Sequence, residues 1–190
     1  MKNLAVFASG TGSNAKKIIE YFRTNPHIRV RLIVSNKKDA PVLGIAREHN
    51  IETLVLNRQD FYGTEQLLQQ IQVRDIDFII LAGFLWLIPD YLVRAFENRI
   101  VNIHPALLPK YGGKGMYGMR VHEAVKAAGE RESGITIHYV NENYDEGDII
   151  FQATCVLEPN DTSEDIAHKV QALEHRHFAP VVEKLLQTEE

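Results

Sequence analysis

The chain has one cysteine, one tryptophan and no apolar run near the roughly 18 residues a membrane-spanning helix needs. Cys155 alone excludes an internal disulfide, and its setting in the apolar run 149–156 predicts a buried strand residue in a reducing compartment. Basic charge is not in excess. The 21 Lys and Arg against 25 Asp and Glu give a formal net charge of -4, which argues against a broad grip on nucleic acid or an anionic membrane. The first residues hold one Lys and reach Gly10 too soon for a signal peptide, so a cytoplasmic location is expected. Repeats, low-complexity tracts and linkers are absent, and 45% hydrophobic residues supply a core, so residues 1–190 are expected to form a single domain. No metal is expected either: His168, His175 and His177 share one helical segment without an i, i+4 pair.

What is present is an alternation. Short apolar runs at 4–8, 30–34, 53–56, 78–82 and 100–103 predict strands, and the segments 14–22, 41–49, 64–73 and 89–96 between them predict helices. That order implies an α/β fold with a doubly wound, mostly parallel sheet and helices on both faces. After a glycine-rich stretch at 112–118 come a short helix near 122–128, strands at 134–140 and 148–156, and a closing helix opened by Asp161-Thr162-Ser163-Glu164. Ligands on such sheets gather at the carboxyl ends of the strands.

Two segments carry chemistry. Ala8-Ser9-Gly10-Thr11-Gly12-Ser13-Asn14 follows the first strand and opens a helix, so free backbone N–H groups and the positive end of the helix dipole converge there. Gly10, Gly12 and Ala15 fit a loose dinucleotide fingerprint, but after Ile33-Val34-Ser35-Asn36 no acid stands ready for a ribose until Asp39, so a phosphate monoester suits the loop better than a nicotinamide cofactor. In Asn102-Ile103-His104-Pro105, strand spacing puts Asn102 and His104 on one face, and Pro105 ends the strand. An amide donor beside a titratable ring suits a carbonyl becoming an oxyanion, although such a pair can also simply cap a strand.

Taken with Leu81-Ala82-Gly83-Phe84, with the run from Asn102 to Tyr111 and with Asp145-Glu146-Gly147-Asp148-Ile149-Ile150-Phe151-Gln152, this loop gives four motifs in order, and the chain resembles the folate-dependent formyltransferases from Leu4 to about Glu174. The resemblance implies transfer of a formyl group from 10-formyltetrahydrofolate to the amine of glycinamide ribonucleotide in purine synthesis. It implies a catalytic trio of Asn102, His104 and Asp145, in which Asn102 donates to the oxyanion, His104 stabilises the same charge or moves the amine proton, and Asp145 orients the imidazole. It further implies that Gly12, Ser13 and Asn14 hold the substrate phosphate and Glu174 the ribose. The folate is expected against Phe84, Leu85, Trp86, Leu87 and Ile88 and against Tyr139, Val140 and Asn141, with His138 in support.

The chain departs from the family pattern twice. Trp86 stands where Arg is common, and the loop from Lys110 to Met119 is longer and richer in glycine than usual, as a mobile lid or a surface insertion. It leaves His122 without a clear counterpart, so His122 is not counted in the site. The resemblance leaves a homodimer open and points to no nucleic-acid or membrane partner. Relatives that formylate an initiator aminoacyl-tRNA carry a further carboxyl-terminal domain, and hydrolases of the same cofactor an amino-terminal one, so both are disfavoured. The remaining alternatives are a sugar-nucleotide N-formyltransferase and a non-catalytic nucleotide- or folate-binding module on the same scaffold.

Overall fold

Side chains of a strand leave alternately to opposite faces, and in β1 (Lys2–Phe7) both faces are apolar. Leu4 and Val6 join one buried cluster, while Ala5 and Phe7 join another. Such a strand must be covered on both sides, which is the condition of a parallel sheet wrapped by helices. The computed structural model describes residues 1–187 and has that architecture. Its sheet runs β3 (Glu52–Val55), β2 (Ile28–Ser35), β1, β4 (Phe78–Leu81), β5 (Ile100–His104), β6 (Glu132–Tyr139), β7 (Ile149–Val156). The first five strands are parallel, and β6 and β7 are antiparallel additions at one edge.

One face of the sheet packs α1 (Ser13–Phe22), α2 (Val42–Glu48), α6 (Met119–Ala127) and α7 (Ser163–Gln187). The other packs α3 (Arg58–Gly63), α4 (Gln66–Gln72) and α5 (Asp90–Ala95). α7 opens with a reciprocal cap: the Asp165 N–H donates to Thr162 Oγ1, and the Thr162 N–H donates to Asp165 Oδ2. The strand order reverses direction between β1 and β4, the switch point where ligands of such sheets bind.

Three expectations need correction. The segment before residue 64 holds the additional helix α3, started by Asn57, whose Oδ1 accepts from the N–H groups of Gln59 and Asp60. Helix α6 begins at Met119, a turn or so earlier than expected, because Gly118 with φ 55° releases the loop directly into it. Cys155 is half-buried rather than buried, since β7 is an edge strand covered on one face alone. No helix among the described residues is long and apolar enough to cross a membrane.

Candidate active site

The alternation of β5 sends Val101 and Ile103 into the core beneath α6 and α7 and leaves Asn102 and His104 on the opposite face. Across the antiparallel pairing with β6, Asn102 stands opposite His138 and His104 opposite Thr136. Cross-strand partners share a face, so four polar side chains meet on one patch of an otherwise apolar sheet. The patch survives burial because its groups satisfy one another. Asn102 Nδ2 lies 3.1 Å from His138 Nε2 and 3.4 Å from Asp145 Oδ1. The second ring nitrogen of His138 lies 2.8 Å from the carbonyl of Tyr139.

Thr136 anchors the loop that leaves β5. Its Oγ1 donates to the Ala106 carbonyl at 2.7 Å and accepts from the N–H of Leu108 at 3.0 Å and from Gln152 Nε2 at 2.9 Å.

Asp145 joins this patch from the turn before β7, where its backbone is left-handed with φ 57°. Asp145 Oδ2 lies 3.5 Å from His104 Nδ1 and accepts from the Gly113 N–H at 2.9 Å, while Oδ1 lies 3.6 Å from His138 Nε2. Burial pushes this carboxyl up, but the two imidazoles and the Gly113 N–H outweigh it, and the acid is held below the ordinary Asp range. His104 is 3% exposed. Burial lowers its pKa, opposed by Asp145 and by a 2.8 Å contact from Nε2 to the Tyr111 carbonyl, and the net direction is down. The ring is therefore neutral near pH 7, beside an ionised carboxylate.

Asn102, His104 and Asp145 line one wall of a cavity of about 900 Å³. The Gly10–Asn14 loop forms another wall. Gly12, at the N-cap of α1, has φ 79°, and a Cβ there would lie 2.5 Å from Val42 Cγ2, so both its conformation and the close approach of α2 call for glycine. Ser9 staples this loop to the end of β4: its N–H donates to the Gly83 carbonyl at 3.1 Å, and its Oγ accepts from the Leu85 N–H at 2.9 Å. From α7, Glu174 Oε2 accepts from Asn14 Nδ2 at 2.9 Å. Burial pushes the Glu174 carboxyl up, and Asn14 opposes part of that shift. Asn14 Oδ1 is buried without a hydrogen-bond partner among the described residues.

The cavity thus brings together Asn102, His104, Asp145, Gly12, Ser13, Asn14 and Glu174. Of the residues expected against folate, Phe84 and Leu85 line it. Trp86 instead packs with its ring centroid 5.4 Å from Phe61 and 6.2 Å from Phe84, under the Arg58 guanidinium. The Leu87 carbonyl accepts from Tyr62 Oη, and Ile88 is core. Tyr139, Val140 and Asn141 form the way out of β6: the Tyr139 N–H donates to the Asp148 carbonyl, the Val140 N–H to that of Ile100, and Asn141 Oδ1 accepts from the Asn143 N–H.

The structure adds the lining residues Lys37, Lys114, Arg120 and Gln171, for which the sequence suggests no role, and His122, which the sequence analysis leaves out of the site. Lys114 and Arg120 are cations carried by or next to the glycine-rich loop, the available sequence signal. His122 is 6% exposed with Nδ1 unpartnered among the described residues, and burial and His104 both lower its pKa.

The chain that builds this wall and the glycine loop facing it is similar to known proteins over nearly its whole length. Residues 2–182 match the formyl transferase family model. The phosphoribosylglycinamide formyltransferase of Bacillus subtilis is 34% identical over 98% of this chain and 95% of its own length. The chloroplastic enzyme of that name from Arabidopsis thaliana is 46% identical over 95% of this chain, which spans 64% of that protein. The chain spans less than two thirds of the plant relatives it matches. The crystal structure of phosphoribosylglycinamide formyltransferase from Bacillus halodurans superposes with a TM-score of 0.89 at 36% identity, covering 100% of this chain and 97% of that one. With the family model spanning nearly the whole sheet and both walls of the cavity, the chain belongs to the formyl transferase family.

Proposed function

We propose that the protein transfers the formyl group of 10-formyltetrahydrofolate to the primary amine of glycinamide ribonucleotide, a step of purine synthesis in the cytoplasm. The observation that carries this reading is the joining, in one cavity, of the Asn102–His104–Asp145 cluster and the Gly10–Asn14 loop. Relatives named for this reaction, similar to the chain over nearly their whole length, support it.

In this reading the N–H groups of Gly12, Ser13 and Asn14 bind the phosphate, aided by the dipole of α1, and the Glu174 carboxylate accepts from the ribose hydroxyls. Phe84 and Leu85 cover the reduced folate at the mouth of β4, in a cavity with room for both substrates. The acceptor nitrogen bonds to the formyl carbon, and the carbonyl oxygen becomes an oxyanion. Asn102 stabilises that oxygen by turning Nδ2 from its long 3.4 Å contact with Asp145. His104 takes the proton leaving the amine, and the resulting imidazolium is held by Asp145. Collapse breaks the bond to the folate nitrogen, which leaves with the proton that His104 took from the amine, and the ring returns to its neutral form.

The test follows formyl transfer from 10-formyltetrahydrofolate by absorbance, with and without glycinamide ribonucleotide. Turnover that requires the acceptor and is abolished in His104→Ala, with substrate affinity nearly kept, is the expected result. Acceptor-independent loss of the formyl group, or binding without turnover in the wild-type protein, would overturn the proposal.

A further inference from the structure

His104 meets an acceptor at each ring nitrogen: Asp145 Oδ2 lies 3.5 Å from Nδ1, and the backbone carbonyl of Tyr111 lies 2.8 Å from Nε2. Both the carbonyl and the ionised carboxylate can only accept, so the single proton of the neutral ring serves the contact of hydrogen-bond length: Nε2 donates to Tyr111 at 2.8 Å, while 3.5 Å from Nδ1 to Asp145 is too long for a good bond. The tautomer is set by one backbone atom of the loop after β5. That atom sits in a conformation the chain does not adopt unaided. Tyr111 has φ 57°, left-handed backbone that a bulky residue keeps only where its surroundings hold it.

What holds it lies outside the cavity. Tyr111 Oη donates to Glu130 Oε1 at 2.9 Å, and Lys110 Nζ reaches the same oxygen at 2.9 Å. Glu130 follows α6 and precedes β6, so it ties the catalytic loop to a rigid part of the fold. Its carboxyl is held low by the Lys110 and Tyr111 contacts, and it stays a charged acceptor. The next residues have little slack: a Cβ on Gly112 would lie 2.5 Å from Leu108 Cδ2 and 3.3 Å from Asp145 Cβ. Gly113 then donates its N–H to Asp145. Three consecutive loop residues thus bracket both His104 and its carboxylate.

On the catalytic role given to His104 above, we infer that Glu130 is a positioning residue. Through the Tyr111 hydroxyl it fixes the carbonyl that keeps the His104 proton on Nε2, leaving Nδ1 beside Asp145 as the base. The groups that bear on the ring are Asp145 from the turn before β7, His138 from β6, His122 from α6 and this carbonyl. Glu130 acts on the last of them.

Tyr111→Phe keeps the ring and deletes the hydroxyl, Glu130→Ala deletes the acceptor, and Glu130→Gln keeps one. Each is measured for kcat and KM against pH, and the His104 15N resonances are recorded in the protein without substrates. Tyr111→Phe and Glu130→Ala are each expected to lower kcat about fivefold, the worth of one hydrogen bond, with KM within about twofold. The double variant should be no slower than either single one, and Glu130→Gln should restore most of the rate lost in Glu130→Ala. The carbonyl contact favours the protonated ring, so loosening it moves the acid limb of kcat to lower pH and shifts the 15N signals from the Nε2–H form toward a mixture of tautomers.

An unchanged kcat, losses that multiply in the double variant, or unmoved 15N signals would overturn the inference. The 15N readout needs no turnover. Intact transfer in His104→Ala would sink the catalytic reading, while the 15N spectra judge the tether by themselves.

Discussion

At the scale of single residues, the site works by unequal burial of groups that would all be ordinary in water. Asn102 costs little to bury because His138 and Asp145 occupy its amino hydrogens, and the same hydrogens are what an oxyanion needs. Asn102→Ala should lower kcat by about 100- to 1000-fold with little change in KM, as loss of one oxyanion donor does elsewhere. A variant that retained kcat and lost substrate affinity would make Asn102 a binding residue instead. Asp145 acts on His104 in the other sense. It raises the ring's pKa against the downward push of burial, so the acid limb of the kcat profile is expected below the ordinary His value and should fall further in Asp145→Asn. A pH-rate profile of both proteins checks the sign, and a limb that rises in the variant contradicts it.

At the scale of elements, the strands were legible and their partners less so. Asn102 and His104 were readable as neighbours because a strand repeats every two residues, and β5 does just that. Thr136 has no such signal, and His138 has a supporting role only through the family resemblance, because antiparallel register is a long-range property that no local pattern carries. Helix α3 is not legible for a related reason: its six residues have one buried apolar side chain, Phe61, and little periodicity to read. The seam between β5, β6 and the loop at Ala106–Leu108 hangs on Thr136 Oγ1, which serves three partners. Thr136→Val keeps the shape and removes the oxygen, and each buried group left unpaired costs about 1–3 kcal/mol. The variant should lose at least the worth of one such group by urea unfolding, and more where the three partners find no substitute, and lose kcat with it, because the loop carries Tyr111. Equal stability with lower kcat would separate the seam from the fold.

At the scale of the whole molecule, the position of the cavity follows from topology, since the strand order reverses between β1 and β4 and both walls rise from strand ends there. The sequence order of strands and helices already implied that place, but not which distant residue would close it. Glu174 closes it from α7, 160 positions from its partner Asn14. That closure opposes stability. A carboxyl whose folded pKa is raised above its unfolded value supports folding fully below the unfolded pKa and loses that support as pH rises through the folded one. At neutral pH burial of the Glu174 carboxyl is therefore a burden on the folded state, kept for a ligand hydroxyl in the reading proposed above. Glu174→Gln keeps an acceptor for Asn14 and offers a donor to its unpartnered Oδ1, with no charge to bury. It should raise Tm at pH 7, leave Tm unchanged below about pH 4 where both proteins carry a neutral group, and raise the KM for glycinamide ribonucleotide. Thermal unfolding at the two pH values, set beside that KM, distinguishes the cases. A lower Tm at pH 7 would mean that the Asn14 contact outweighs the cost of burial, and an unchanged KM would remove Glu174 from the ribose site.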